Sequence, residues 1–210
     1  GTLNYLGNLE ILDKGWYSLW SQHTIFSASF FMPAQFGVFC AWQWRLEHTD
    51  HNWNSLMTAP VPVRDLYWSK FLLAAGVAVL GQVCIGVLYL LSGQLAGVSG
   101  GLPLQLAGWM FFGALGGMAV CAVQLFLSLV IRSFAPPVAL GLVGGIAGLV
   151  MTSQGAGLYC PYSLLCLGMR ANNPNLSLEV GPFVLACGVC IALFSFLTIR
   201  CMAGRDVTTG

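Results

Sequence analysis

The sequence predicts an all-α polytopic membrane protein with five transmembrane helices, and three observations lead to this fold class. Hydrophobic residues make up 57% of the 210 residues and charged residues only 7%, whereas a soluble domain carries roughly 25% charged residues. The few charges leave long uncharged runs, and a helix needs about 20 mostly apolar residues to cross a hydrocarbon core. Glycine and proline then mark the breaks between the runs.

These breaks divide the uncharged runs into five spans. The run from Phe71 to Ile131 is too long for one crossing and is interrupted between Gly97 and Pro103, where glycine and proline suit a turn. Pro136 and Pro137 suit the first turn of the following helix. The predicted spans are residues 22–44, 71–96, 104–131, 135–151 and 181–199.

The distribution of lysine and arginine predicts how these spans are oriented. Loops that face the cytoplasm retain an excess of basic residues. One side receives six of them, Arg45, Arg64, Lys70, Arg132, Arg200 and Arg205, and the other receives two, Lys14 and Arg170. We therefore expect residues 45–70 and the C-terminus in the cytoplasm, with residues 1–21 and 152–180 outside.

That orientation places the first residues outside, although the chain starts with Gly1 and shows no signal-peptide pattern. We therefore expect a further helix before Gly1. The native protein would then have six spans with both ends inside.

The predicted cytoplasmic stretch "WRLEHTDHNWNSLMTAPVPVRDLYWSKF", residues 44–71, is the one stretch of the sequence in which charged residues are dense. Trp53, Leu56 and Met57 follow an i, i+3, i+4 spacing, which predicts a short helix with one apolar ridge. Pro60 and Pro62 end that helix and favour an extended segment. Such a helix suits either docking to a partner protein or resting on the lipid surface.

The order of residues in this loop resembles the first cytoplasmic loop of ABC-2 type transporter permeases, above all those of lantibiotic-immunity and bacitracin-resistance exporters. In that family the loop carries a coupling helix that seats in a groove of a cytoplasmic ATPase. The resemblance implies that Trp53, Leu56 and Met57 form the apolar plug. Glu47 and Arg64 would be charged contacts or helix-end anchors, or else solvated charges beside the membrane. The residues that carry the resemblance are Glu47, Trp53, Leu56, Met57, Pro60, Arg64, Tyr67 and Lys70.

The resemblance also implies a function. Residues 1–210 would form a single permease domain in a bacterial cell membrane, in contact with lipid and not with nucleic acid. The chain contains no G-x-x-x-x-G-K-[ST] motif, so ATP and Mg would bind a partner ATPase, expected in two copies. A second permease, identical or related, would complete an exporter of lantibiotics or other antimicrobial peptides. The alternative is an assembly or sensor subunit that docks a soluble partner through the same loop.

The sequence gives little support for a catalytic or a metal-binding site. The interiors of the predicted spans contain no Asp, Glu, Lys or Arg, so an intramembrane hydrolase would lack converging acids and bases. The "EHTDH" stretch places Glu47 and His51 at i, i+4, but such a pair is a weak zinc signal without a further ligand. We therefore predict no catalytic residue and no metal ligand in this chain.

Three further patterns concern the outer loop and the packing of the spans. Cys160 and Cys166 lie in the outer loop, where oxidation would permit a disulfide between them. The apolar stretch from Leu158 to Met169 predicts a re-entrant or interfacial helix at the outer leaflet, acting as a cap or as a first contact for a substrate. Glycines four residues apart predict close helix packing, at Gly113 and Gly117, Gly141 and Gly145, and Gly144 and Gly148.

Overall fold

The computed structural model describes residues 1–8, 12, 15–48, 61–131, 133–175 and 177–204, with the backbone alone for residues 46–48. The described part of the chain is helical and contains no strand. Its helices are α1 Thr2–Gly7, α2 Trp16–Phe26, a π-helical segment Ser27–Phe31, α3 Met32–His48, α4 Val63–Leu95, α5 Leu106–Val130, α6 Ala135–Ser153, α7 Pro161–Gly168 and α8 Val180–Ala203.

Five helical stretches of the described chain are long and apolar enough to cross a membrane. The first is continuous through α2, the π-helical segment and α3, from Trp16 to Arg45, and the others are α4, α5, α6 and α8. Large apolar side chains such as Leu72, Leu80 and Leu88 point outward from α4, as expected of a surface that faces lipid. The predicted all-α polytopic fold with five membrane-spanning helices is confirmed.

Part of the segment predicted as the first outer loop is helical. Helix α1 begins at Thr2, and α2 begins at Trp16, before the predicted start of the first span. The aromatic side chains of Trp16, Trp20 and Tyr89 pack together at this end of the bundle. The Trp20 indole N–H donates to Met169 O at 2.9 Å, and the Tyr89 hydroxyl donates to Trp16 O at 2.9 Å. The first span is thereby held against α4 and against the segment that follows α7.

The first span changes its winding next to Pro33. Proline has no backbone N–H, so the carbonyl four residues earlier, that of Ser29, loses its α-helical partner. The chain is π-helical from Ser27 to Phe31, and this segment ends two residues before the proline. Gly145 of α6 packs against the Ser29 carbonyl so closely that a Cβ on the glycine would collide with it. The irregular winding thus lies where another helix covers the backbone.

The glycines of helix α6 pack against two partners. The helix begins with prolines in the first turn, as predicted. A Cβ added to Gly141 would lie 2.5 Å from Pro33 O. Two turns farther along the same face, Gly148 packs against the backbone of Tyr162 and Ser163, the latter with its nitrogen 2.7 Å from a built Cβ. The prediction of close glycine packing is confirmed for α6, which contacts α3 near its start and α7 near its end.

Helix α7 lies inside the bundle. All residues from Ser163 to Ala171 are buried, and the helix packs mainly against α5 and also against α6. Gly116 of α5 and Gly168 of α7 allow backbone contact, since a Cβ on either would collide with the opposite main chain. The predicted helix in this stretch is therefore packed between α5 and α6, because small residues on both partners let it approach their backbones.

Candidate functional site

The two ends of the loop at residues 45–70 are the candidate functional site, since the residues predicted to couple to an ATPase lie there. Trp53, Leu56, Met57 and Pro60 fall outside the described residues, as does the side chain of Glu47. The remaining three predicted residues, Arg64, Tyr67 and Lys70, are described and lie on α4.

Helix α4 begins at Val63 because of the residue before it. Pro62 has an extended backbone and is the N-cap, and its carbonyl accepts from the N–H of Asp65 at 2.9 Å. Asp65 in the first turn adds a negative charge where the helix dipole favours one. Residues 63–70, expected in the loop, thus form the first two turns of the helix, and Arg64 is exposed on its surface.

Lys70 is directed into the protein, with only 6% of its surface exposed. Its ammonium group donates to Gln43 O at 3.1 Å and lies 4.9 Å from the centroid of the Trp44 ring. A buried ammonium needs such partners, because leaving water without them costs several kcal/mol. The carbonyl and the aromatic face supply them. Lys70 therefore joins the start of α4 to the end of α3, that is, the two ends of the loop.

Trp44 extends this connection to α5. Its side chain is 1% exposed, and its indole N–H donates to Leu125 O at 2.9 Å. A buried indole needs an acceptor for its N–H, and the bond fixes the ring beneath the Lys70 ammonium. The end of α3, the start of α4 and the last turns of α5 are thus linked through one aromatic side chain.

Tyr67 connects the start of α4 to the last span. Its side chain is fully buried, and its hydroxyl lies 2.6 Å from the Ser195 hydroxyl of α8. The ring also stacks on Phe71, with the centroids 6.0 Å apart. We refer to the pairs Lys70–Gln43, Lys70–Trp44, Trp44–Leu125 and Tyr67–Ser195 as the loop-end contacts. Together they connect both ends of the loop to α5 and α8.

Four partners in these contacts were not singled out in the sequence, namely Gln43, Trp44, Leu125 and Ser195. Trp44 is the last residue before Arg45, a position where tryptophan is common because it marks the membrane interface. Ser195 is a hydroxyl residue in an otherwise apolar span, and such residues often bond between helices. Gln43 and Leu125 take part through their backbone carbonyls, which no sequence pattern indicates.

A model of the family described as ABC-2 family transporter protein matches residues 1–148. The chain belongs to the ABC-2 transporter family. No curated protein and no solved structure matches it. The region matched to the ABC-2 family contains the loop at residues 45–70 and extends into α6, whereas α7 and α8 follow it.

Membership of the ABC-2 family makes this chain a multi-pass membrane subunit of a transporter rather than a catalytic subunit. Within the described residues, no three His, Cys, Asp or Glu side chains lie close enough to hold a metal ion. Most of the "EHTDH" stretch falls outside those residues.

The two cysteines of the 152–180 segment occupy different environments in this ABC-2 protein. Both are free thiols in the structure. Cys160 precedes α7, whereas Cys166 is buried with its sulfur 3.9 Å from the Ser29 hydroxyl. Burial raises the pKa of the Cys166 thiol to about 11. A disulfide between the two stays a prediction, and it would require Cys166 to leave its contact with Ser29.

Proposed function

We propose that this chain is the permease subunit of an ABC exporter and that the loop at residues 45–70 binds a separate ATPase. Membership of the ABC-2 family supports the transport role. The observation that carries the assignment to this loop is the Lys70 ammonium, buried between Gln43 O and the Trp44 ring. A loop whose ends are fixed to the spans can pass on a displacement, while a loosely tethered loop would absorb it.

In the proposed mechanism, ATP and Mg bind the partner ATPase, whose closure pushes on a short helix at residues 50–58. Large apolar side chains in a desolvated pocket dominate such binding, and Trp53, Leu56 and Met57 would supply them. Lys70 and Trp44 pass the displacement to α5, and Tyr67 passes it to α8. Two ATPase copies and a second permease, identical or related, complete the exporter, with the C-terminus of this chain in the cytoplasm.

The proposed substrate is a hydrophobic or amphipathic peptide, such as a lantibiotic, taken from the membrane. This step rests on the resemblance of the loop to lantibiotic-immunity and bacitracin-resistance permeases. Deleting the gene should increase sensitivity to amphipathic antimicrobial peptides and leave sensitivity to small soluble antibiotics unchanged. Equal sensitivity to the peptides with and without the gene would contradict the proposed substrate class. The docking of the ATPase is tested separately, by the variants described next.

The docking step is tested with the double variant Trp53→Ala, Leu56→Ala. We expect it to insert normally and to lose most of the co-purifying ATPase, because the apolar plug is gone. The matched control is Trp68→Ala, Leu72→Ala, which removes the same two side-chain types from the exposed surface of α4 and should retain the ATPase. Retention of the ATPase by both variants would overturn the docking role. A soluble partner that is not an ATPase would indicate an assembly or sensor subunit instead.

A further inference from the structure

Two cysteines from different spans meet in the core of the bundle. Cys40 of α3 and Cys121 of α5 are 81 positions apart in the sequence, and their side chains are 0% and 1% exposed. The Cys40 thiol donates to Cys121 O at 3.9 Å, and the two side chains are hydrogen-bonded to each other. The Cys121 thiol also donates to Ala74 O of α4 at 3.5 Å. We refer to Cys40 and Cys121 as the thiol pair.

The thiol pair lies one helical turn from the bond between Trp44 and Leu125. Trp44 follows Cys40 by four residues on α3. Leu125, which accepts the Trp44 hydrogen bond, follows Cys121 by four residues on α5, and a helical turn takes about 3.6 residues. The Tyr67 side chain of α4 interacts electrostatically with both thiols. The pair therefore joins the same two helices one turn farther into the membrane.

Two thiols in contact can bind a ligand that a single buried cysteine cannot. An isolated buried cysteine usually acts as a small hydrophobe. Sulfur, however, is the donor that soft metal ions such as Cu(I) prefer, and Cu(I) and Ag(I) form stable complexes with only two sulfur ligands. The described residues contain no group of three His, Cys, Asp or Glu side chains that could hold a metal, but a two-coordinate ion does not need a third. No metal ligand was predicted from the sequence, because 81 positions separate the two cysteines.

The charge of the bound form also suits the interior of the bundle. A monovalent ion that binds the pair replaces one thiol proton, which is released. The product holds the cation between one thiolate and one thiol and has no net charge. It therefore avoids the cost of burying a net charge. Neither the metal nor the sulfur is oxidised or reduced, so the reaction needs no further reagent.

We propose that Cys40 and Cys121 form a binding site for one soft monovalent metal ion, Cu(I) or Ag(I). The bound ion links α3 to α5 next to the Trp44–Leu125 bond and so restrains the movement of these two helices relative to each other. This site depends on the core of the bundle and not on the proposed docking to an ATPase.

The proposal is tested on the full chain with the thiol pair as its only cysteines. Alanine replaces the other six, which are Cys84, Cys160, Cys166, Cys187, Cys190 and Cys201. Native mass spectrometry after addition of Ag(I) should show one tightly bound ion. In competition with a Cu(I) chelator, this protein should bind Cu(I) about a hundredfold more tightly than the same protein with Cys121→Ser, because the second thiol acts at a high effective concentration. Equal affinities would overturn the site.

Single variants of the otherwise unchanged chain test the same site without the multiple replacement. Cys40→Ser and Cys121→Ser keep the size of the side chain, and each should bind one tight Ag(I) fewer than the wild type. The matched control is Cys187→Ser, because Cys187 of α8 is as fully buried as Cys40, and it should bind as many ions as the wild type. Loss of the ion in Cys187→Ser but not in Cys40→Ser would assign it to α8 and contradict the proposal.

Discussion

The hydrogen bond between Tyr67 and Ser195 allows the sharpest quantitative prediction. Both side chains are buried, with Ser195 4% exposed and Tyr67 fully enclosed, and their oxygens are 2.6 Å apart. Tyr67→Phe keeps the ring and its stacking on Phe71 and removes only the hydroxyl. The variant leaves the Ser195 hydroxyl buried without this partner, which costs about 1–2 kcal/mol of unfolding free energy.

A double-mutant cycle with Ser195→Ala isolates the bond itself. Hydrogen bonds between membrane helices contribute about 0.6 kcal/mol on average and about 1.7 kcal/mol at most in such cycles. Because the Tyr67–Ser195 distance is short and both groups are buried, we expect a coupling energy in the upper half of this range. The assay is unfolding in mixed micelles with increasing denaturing detergent, followed by tryptophan fluorescence.

The matched control for this cycle is Tyr17→Phe, which removes a hydroxyl from an exposed pair with Gln105. Water can replace that bond, so we expect a change below about 0.5 kcal/mol. A Tyr67–Ser195 coupling energy below about 0.3 kcal/mol would refute the reasoning, since the two helices would then not be joined through this bond. The same result would remove α8 from the proposed path of displacement.

Two further predictions concern packing and thiol chemistry. Gly145→Ala should destabilise the protein by about 1–3 kcal/mol, because its Cβ collides with the backbone of the first span. Gly188→Ala, at an open position of α8, should be neutral or stabilising by up to about 1 kcal/mol, and equal thermal shifts would contradict this packing. Cys160 should react with a water-soluble maleimide before Cys166, whose pKa is raised to about 11. Raising the pH from 7 to 9 should increase the Cys166 thiolate about a hundredfold, and equal labelling of both at pH 7 would contradict its burial.

The sequence predicted those features that depend on local composition. The five spans followed from uncharged runs of sufficient length, with breaks such as Gly97 to Pro103, because crossing a bilayer is a requirement that each segment meets alone. The start of α6 was also predicted from a local signal, because proline favours the first turn of a helix whatever the rest of the chain does.

Features that depend on a second segment were predicted less completely. An apolar helix near Leu158 to Met169 was predicted from its composition, but its burial within the bundle was not. This burial depends on Gly116 and Gly148 of other helices, which permit contact with its backbone. Pairwise proximity of this kind is not visible in one sequence.

The candidate site was likewise predicted only in part: its residues were named from the sequence, but their partners on other segments were not. Tyr67 and Lys70 were named from the order of residues in the loop, but the sequence did not indicate that both are buried. Their partners Ser195 and Gln43 are 128 and 27 positions away, and Gln43 contributes only a backbone oxygen. The helix start at Val63 had a readable signal in Pro62, since proline is disfavoured inside a helix and is tolerated at its start.

The central claim is that the loop at residues 45–70 binds the ATPase, and site-specific photocrosslinking in native membranes tests it most directly. A photoreactive residue replaces Trp53 in one strain. In the control strain it replaces Tyr159, which is 86% exposed in the segment between α6 and α7. We predict that the residue at position 53 crosslinks to an ABC ATPase and that the residue at position 159 does not. No ATPase crosslink from position 53, or the same crosslink from both positions, would contradict the claim.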